Sequence, residues 1–119
     1  NAQQLGFFDG LPEAAQRELL EGAIESPAKA KQQFDSMLAA WISGDVDAIG
    51  RTFNAEFQNS PELREALLRR RNANWAYWLH SRMAQPGTVL VAVGAGHLAG
   101  QDSVVEMLKA RGLKVKRVQ

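Results

Sequence analysis

Thr88-Val89-Leu90-Val91-Ala92-Val93, followed at once by Gly94-Ala95-Gly96-His97-Leu98-Ala99-Gly100, decides how this chain is read. The first six residues form an apolar, β-branched run behind Pro86-Gly87, the composition of a buried strand. The next seven carry Gly94, Gly96 and Gly100 around one histidine. Glycine lets a backbone turn sharply and lets a ligand come close. A histidine at the carboxyl end of a strand in an open α/β sheet faces the crevice where such sheets bind ligands. His97 is therefore the first candidate for chemistry.

Working outward, Ser103-Val104-Val105-Glu106 has capping-box spacing and opens a helix expected over 102–111, which Gly112 ends. Leu113-Lys114-Val115-Lys116-Arg117-Val118 then alternates like a strand with one buried face. Residues 86–119 are thus expected to form a β-loop-α-β unit, and right-handed crossover makes its strands parallel neighbours. Upstream, residues 1–85 read as helices. Leu11-Pro12-Glu13 starts one that carries Leu19, Leu20, Ala23 and Ile24, and Ser26-Pro27 starts the next. Phe34, Met37, Leu38, Trp41 and Ile42 follow with amphipathic spacing, until Gly44 stops the helix and Asp45 caps another through Val46, Ile49 and Phe53. Ser60-Pro61 opens a long helix over about 61–84 with Leu63, Leu67, Trp75, Trp78 and Leu79 on it. Phe7, Phe8, Phe34, Trp41, Phe53 and Phe57 are expected in the core.

The fold class expected is therefore α/β and helix-rich. A helical segment over 1–85 precedes the β-loop-α-β unit, in a single domain over 1–119. Two strands are too few for a sheet covered on both faces. The chain, which begins at Asn1 rather than at a methionine, is accordingly expected to be the C-terminal part of a larger α/β sheet protein, or to complete its sheet as a homo-oligomer.

Composition excludes several classes. Of 119 residues, 45% are apolar and 23% charged, which is globular composition rather than disorder. No apolar run reaches the roughly 20 residues of a membrane span. Without cysteine there are neither disulfides nor thiolate chemistry. The net charge of +1 hides a division: residues 1–60 hold nine acids and four bases, and residues 61–119 hold four acids and ten bases. Such halves attract each other or an anionic partner. The bases are not interleaved with an aromatic platform, so nucleic acid is not expected as a partner.

As for chemistry, a neutral imidazole on a loop binds a metal, abstracts a proton or hydrogen-bonds an oxyanion, or simply caps a carbonyl in the turn. A catalytic metal takes about three protein ligands. The other histidine, His80, sits mid-helix as a surface or half-buried residue, so a complete metal site from this chain alone is not expected. The run 94–100 also matches GxGxxxG, a loose relative of dinucleotide fingerprints. It sits too late in the chain, however, and no acid follows to hold a ribose. Arg71, Trp75, Trp78 and Arg82 share a helical face, where Arg71 has two open roles: clamping a carboxylate or phosphate, or pairing with an acid of the first half. Arg69 and Arg70 face solvent.

Arg71-Asn72, Trp75, Pro86-Gly87-Thr88, Val91 through Gly100, Leu108 and Gly112-Leu113-Lys114-Val115 resemble the C-terminal signature of the TraB/PrgY/GumN family. Gln4-Leu5, Leu11-Pro12 and Gln16 are similar to the segment before its helical part. The family is typified by two GxxH motifs, a glutamate and an arginine, and its TIKI relatives are metal-dependent peptidases. The resemblance implies that Gly94-Ala95-Gly96-His97 is the second GxxH, with His97 as a metal ligand and Gly94, Gly96, Gly100 and Asn72 as motif residues. It makes Arg71 the catalytic arginine. The first GxxH and the glutamate would lie upstream of Asn1. Implied with them are an incomplete site for a divalent metal (Zn, Mn or Co), metal-assisted hydrolysis of a peptide or protein substrate, and a periplasmic or exported location. The alternative is a non-catalytic peptide- or protein-binding module built on the helical segment.

Overall fold

The computed structural model describes residues 2–22, 24, 26–55, 57 and 60–118. Helices follow one another as α1 (Ala2–Asp9), α2 (Glu13–Gly22), α3 (Pro27–Ser43), α4 (Val46–Ala55) and α5 (Pro61–Leu63). A π-helical segment, Arg64–Arg69, runs without a break from α5 into α6 (Arg70–Met83). After an extended stretch come a 3-10 turn at Ala95–His97 and α7 (Val104–Ala110).

Most of these boundaries follow from cap chemistry. Ser26 accepts a hydrogen bond from the Lys29 N–H and Pro27 occupies the first helical position, so α3 starts there. Gly44, at φ +68°, turns the chain out of α3 in the left-handed region that glycine tolerates. Asp45 Oδ1 then accepts from the Ala48 N–H at 2.8 Å and opens α4. Ser103 does the same for α7 through the Glu106 N–H, at 3.2 Å. Because Ser103 is also buried, Ser103→Ala is expected to cost about 1 kcal/mol, seen as a lowered urea midpoint with an unchanged slope.

The expected β-loop-α-β unit is not there. Residues 88–94 and 113–118 are extended, but neither has strand pairing, and no strand occurs among the described residues. Among the described residues the chain is helix-rich and without a sheet, not α/β. The physical reason is that β-branched composition makes a backbone extended, whereas a strand needs a neighbour about 4.8 Å away to pair its N–H and C=O groups. Neither segment has one. Their side chains bear this out: Leu90 is 93% exposed and Val118 91%.

The packed interior is small and divided. Leu11, between α1 and α2, and Ala15 of α2 meet Leu63 and Ala66, with Phe57 and Leu67 against them. Ala40 of α3, Ile49 of α4 and Ala99 of the glycine loop form the other centre, flanked by Met37, Val46, Ala48 and Ala95. The radius of gyration is 15.9 Å, against roughly 13.5 Å for a compact domain of this length. A consequence is that side chains expected inside lie outside. Phe34 is 65% exposed, Trp41 64% and Phe8 38%, while Phe7, Phe53 and Phe57 are half-buried.

Candidate functional site

The second centre places the loop. Gly50 of α4 packs against Ala99 and the Gly100 backbone, which seats residues 95–100 on α4. Gly94 begins the 3-10 turn, accepting from the His97 N–H at 3.0 Å, so the GxxH spacing is one tight turn that presents His97 at its end. Two of the loop glycines have structural reasons to be glycine. A Cβ on Gly96 would lie 2.4 Å from the Phe53 ring, and Gly100 adopts φ +79°.

Above the loop lies α6. Asn72, fully buried, donates from Nδ2 to the Asp102 carbonyl at 2.7 Å, and its Oδ1 is 2.8 Å from His97 Nδ1. These two bonds fix the histidine tautomer. A carbonyl only accepts, so the amide nitrogen must face Asp102 and the amide oxygen must face His97. An amide oxygen also only accepts, so Nδ1 carries the hydrogen and Nε2 keeps its lone pair. That is the tautomer suited to hold a cation or take a proton.

The ring is also wedged. Trp75 meets it edge-on with centroids 4.9 Å apart, and Phe53 lies at 5.8 Å. The Arg71 guanidinium stacks over the other aromatic partner of this group, 5.2 Å from the Trp75 ring centroid, and donates weakly to the Leu67 carbonyl at 3.4 Å. No salt bridge of Arg71 occurs among the described residues. Arg71, Asn72, Trp75 and His97, separated in sequence, are thus one cluster. Trp78 and Arg82, placed on the same helical face, do not join it: Trp78 is half-exposed, and Arg82 donates to the carbonyls of Gln85 and Pro86, closing the end of α6. His80, Arg69 and Arg70 are exposed, Arg69 pairing with Glu65 at 2.9 Å.

Two residues of the site gave no sequence signal. Asp102 receives Arg64 Nε at 2.8 Å and Nη2 at 2.6 Å on a single oxygen, Oδ2, in a mostly buried pair. Its backbone carbonyl at the same time anchors Asn72. Only the proximity of Asp102 to the Ser103 cap could have drawn attention to it. Beside the loop a cleft of about 590 Å³ runs along α4, lined by Asp47, Gly50, Arg51, Asn54 and Gly100.

Electrostatics favour a neutral ring. Burial, and after it the positive charge of Arg71, hold the His97 imidazole below the ordinary value of 6.5. In the interval between the lowered value and 6.5 the unfolded chain binds more protons than the folded one. Stability therefore falls as pH drops below about 6.5, and levels off once the folded imidazole is protonated as well. An NMR titration should give His97 a midpoint below 6.5, moved partly back up by Arg71→Met. A midpoint at or above 6.5 contradicts this account.

The sequence model of the TraB/PrgY/gumN family matches residues 2–117, nearly the whole chain. The chain belongs to the TraB/PrgY/gumN family. No curated protein and no solved structure matches it. Membership in the TraB/PrgY/gumN family confirms the resemblance carried by the Arg71-Asn72 and Gly94–Gly100 motifs, and the structure brings those two motifs into contact. No group of three or more His, Cys, Asp or Glu side chains that could hold a metal occurs among the described residues. No helix is long and apolar enough to cross a membrane among those residues.

Proposed function

We propose that this chain supplies one imidazole ligand and one arginine to the centre of a metal-dependent hydrolase. The observation that carries the reading is the Asn72 amide, which holds His97 with Nδ1–H engaged and the Nε2 lone pair free. Metal-ligating histidines are oriented this way, through a hydrogen bond on the other ring nitrogen. The donor set present fits a divalent cation only in part: His97 is one ligand, and the others come from outside the described residues. A bound Zn, Mn or Co ion would supply Lewis acidity and an activated water.

The chain's own residues do the rest. Asn72 fixes the tautomer, the Arg64–Asp102 pair holds the carbonyl that orients Asn72, and Trp75 excludes water from one side of the ring. Arg71, braced on Trp75, offers its remaining N–H donors to negative charge on a peptide substrate. Lowered basicity keeps His97 unprotonated near neutral pH, as a ligand must be.

Calorimetric titration with Zn, Mn and Co, of this chain and of a longer form extended at its N-terminus, tests the reading. Binding that is strong only in the longer form, and weakened about tenfold or more by His97→Ala, is expected. Equal affinity in that variant ends the proposal. The alternative, a protein-binding module, has one observation in its favour, the exposed apolar face of α3. It predicts partner binding that resists chelators and weakens with salt.

A further inference from the structure

The cleft beside the glycine loop is lined by three polar side chains with nothing to bind. Asp47, Arg51 and Asn54 recur at i, i+4 and i+7 along one stripe of α4, while Gly50 and Gly100 add only backbone to its wall. Asp47 and Arg51 are exposed and Asn54 is half-buried. None of the three side chains has a hydrogen bond or an ion pair among the described residues. Elsewhere the same acid-before-base spacing joins Glu13 to Arg17 at 2.7 Å and Glu65 to Arg69 at 2.9 Å, yet Asp47 and Arg51 stay apart. The Asn54 amide lies against Gly100, where a Cβ would stand 2.7 Å from Nδ2, so glycine is what leaves the amide this position.

We propose that this cleft is a subsite for peptides that carry a carboxylate, with Arg51 on the carboxylate and Asn54 on the peptide group next to it. The order of the groups selects this ligand. Asn54 stands nearest the loop, and a side-chain amide, with both a donor and an acceptor, complements a peptide group. Arg51 lies three residues back, about 4.5 Å along the helix axis. Its planar fork of donors matches a carboxylate. Extended peptide advances about 3.3 Å per residue, so the offset suits a peptide group and an acid on adjoining units. Asp47, one turn further, repels a second carboxylate and leaves the acid one place to sit. The Cα atoms of His97 and Gly100 are at most about 11 Å apart, so about three extended residues bridge the subsite and the turn that bears the imidazole. The link to cleavage rests on the hydrolase reading; the binding does not. The acid is either the C-terminus of the peptide or an aspartate or glutamate side chain.

A metal-free ¹H–¹⁵N NMR titration of the chain with N-acetyl-dialanine tests this. Shifts of the Asn54 side-chain amide and the Gly100 N–H are expected, with a dissociation constant on the order of 1 mM. Arg51→Ala should weaken binding about tenfold, and the fold should survive it because Arg51 is exposed. Amidation of the peptide's carboxylate should cost as much. Acetate lacks the peptide group and should bind about tenfold more weakly than the peptide. N-acetyl-alanyl-aspartic acid α-amide, whose one carboxylate is its side chain, separates the two sources: tighter binding than dialanine assigns an internal acidic residue, and weaker binding assigns a C-terminus. Absence of the shifts, an amidated peptide or acetate bound as tightly as N-acetyl-dialanine, or an Arg51→Ala variant that binds unchanged overturns the proposal. Because no metal is present, that failure strikes the subsite alone, whereas failure of the calorimetric metal titration strikes the hydrolase reading and leaves the peptide site standing.

Discussion

Asn72→Ala destabilises the chain by about 3 kcal/mol and releases the His97 ring from its single tautomer. Asn72 is 0% exposed, and both of its amide groups are engaged, with Asp102 and with His97. Truncation leaves a carbonyl and a ring N–H without partners, at about 1 kcal/mol or more each, and adds a small cavity. Urea unfolding gives the stability change. ¹⁵N chemical shifts of the imidazole give the tautomer, expected as Nδ1–H alone in the unaltered chain and as a mixture in the variant. Asn72→Leu separates the contributions, since it fills the space but offers no acceptor. Stability should partly return, and the mixture of tautomers should remain. A change below about 0.5 kcal/mol, within the range of ordinary surface substitutions, would show that the bridge is not structural.

Gly96→Ala has the second largest effect, about 2–3 kcal/mol, and its cause is steric alone. The glycine does not adopt a positive φ, so alanine suits the backbone. A methyl group, however, would stand 2.4 Å from Cγ and Cδ2 of Phe53 and 2.6 Å from Cδ1. Either the ring or the 3-10 turn must shift, and overpacking of this kind costs about 1–3 kcal/mol. Phe53 also packs edge-on against Phe57, with centroids 5.5 Å apart, and lies beside His97, so movement of the ring disturbs the site. Phe53→Leu makes room. Thermal unfolding of the two single variants and the double should show the double to be more stable than additivity predicts, by about 1 kcal/mol. Strict additivity would mean that the close approach of Gly96 and Phe53 is not what makes glycine necessary.

Local signals carried the helices and the site motif, and failed where structure depends on a partner. Ser26-Pro27, Gly44, Asp45 and Ser103 announce α3, α4 and α7 because a cap is chemistry between residues three or four apart. The run from Thr88 to Val93 has the composition of a strand, yet pairing is a property of two segments and no sequence window contains both. The apolar face of α3 misled in the same way, since amphipathic spacing shows that a face wants cover and not that this chain provides it. His97, Arg71 and Asn72 were legible as motif residues. Their contact was not, because twenty-five residues separate Asn72 from His97. Arg64 and Asp102, thirty-eight residues apart, left no pattern at all.

The wide turn over Arg64–Arg69 also bears on which insertions and deletions the chain tolerates. Leu63 and Leu68, both buried, are five residues apart, whereas Leu68, Asn72 and Ala76 follow at intervals of four. A π turn behaves as an α-helix with one extra residue. In an unbroken α-helix Arg64 and Asn72 would point about 80° apart at roughly 100° per residue; with one residue looped out they fall within about 20° of each other. That alignment lets one helix grip Asp102 twice, by its carboxylate and by its carbonyl. Removing a single residue between Leu63 and Arg70 would leave a more regular helix and a chain of nearly the same composition. It would also keep Arg64 and the Asn72 side chain, then seven residues apart, within about 20° of each other, whereas an added residue would turn Arg64 away from Asp102, so the segment tolerates shortening by one residue better than lengthening.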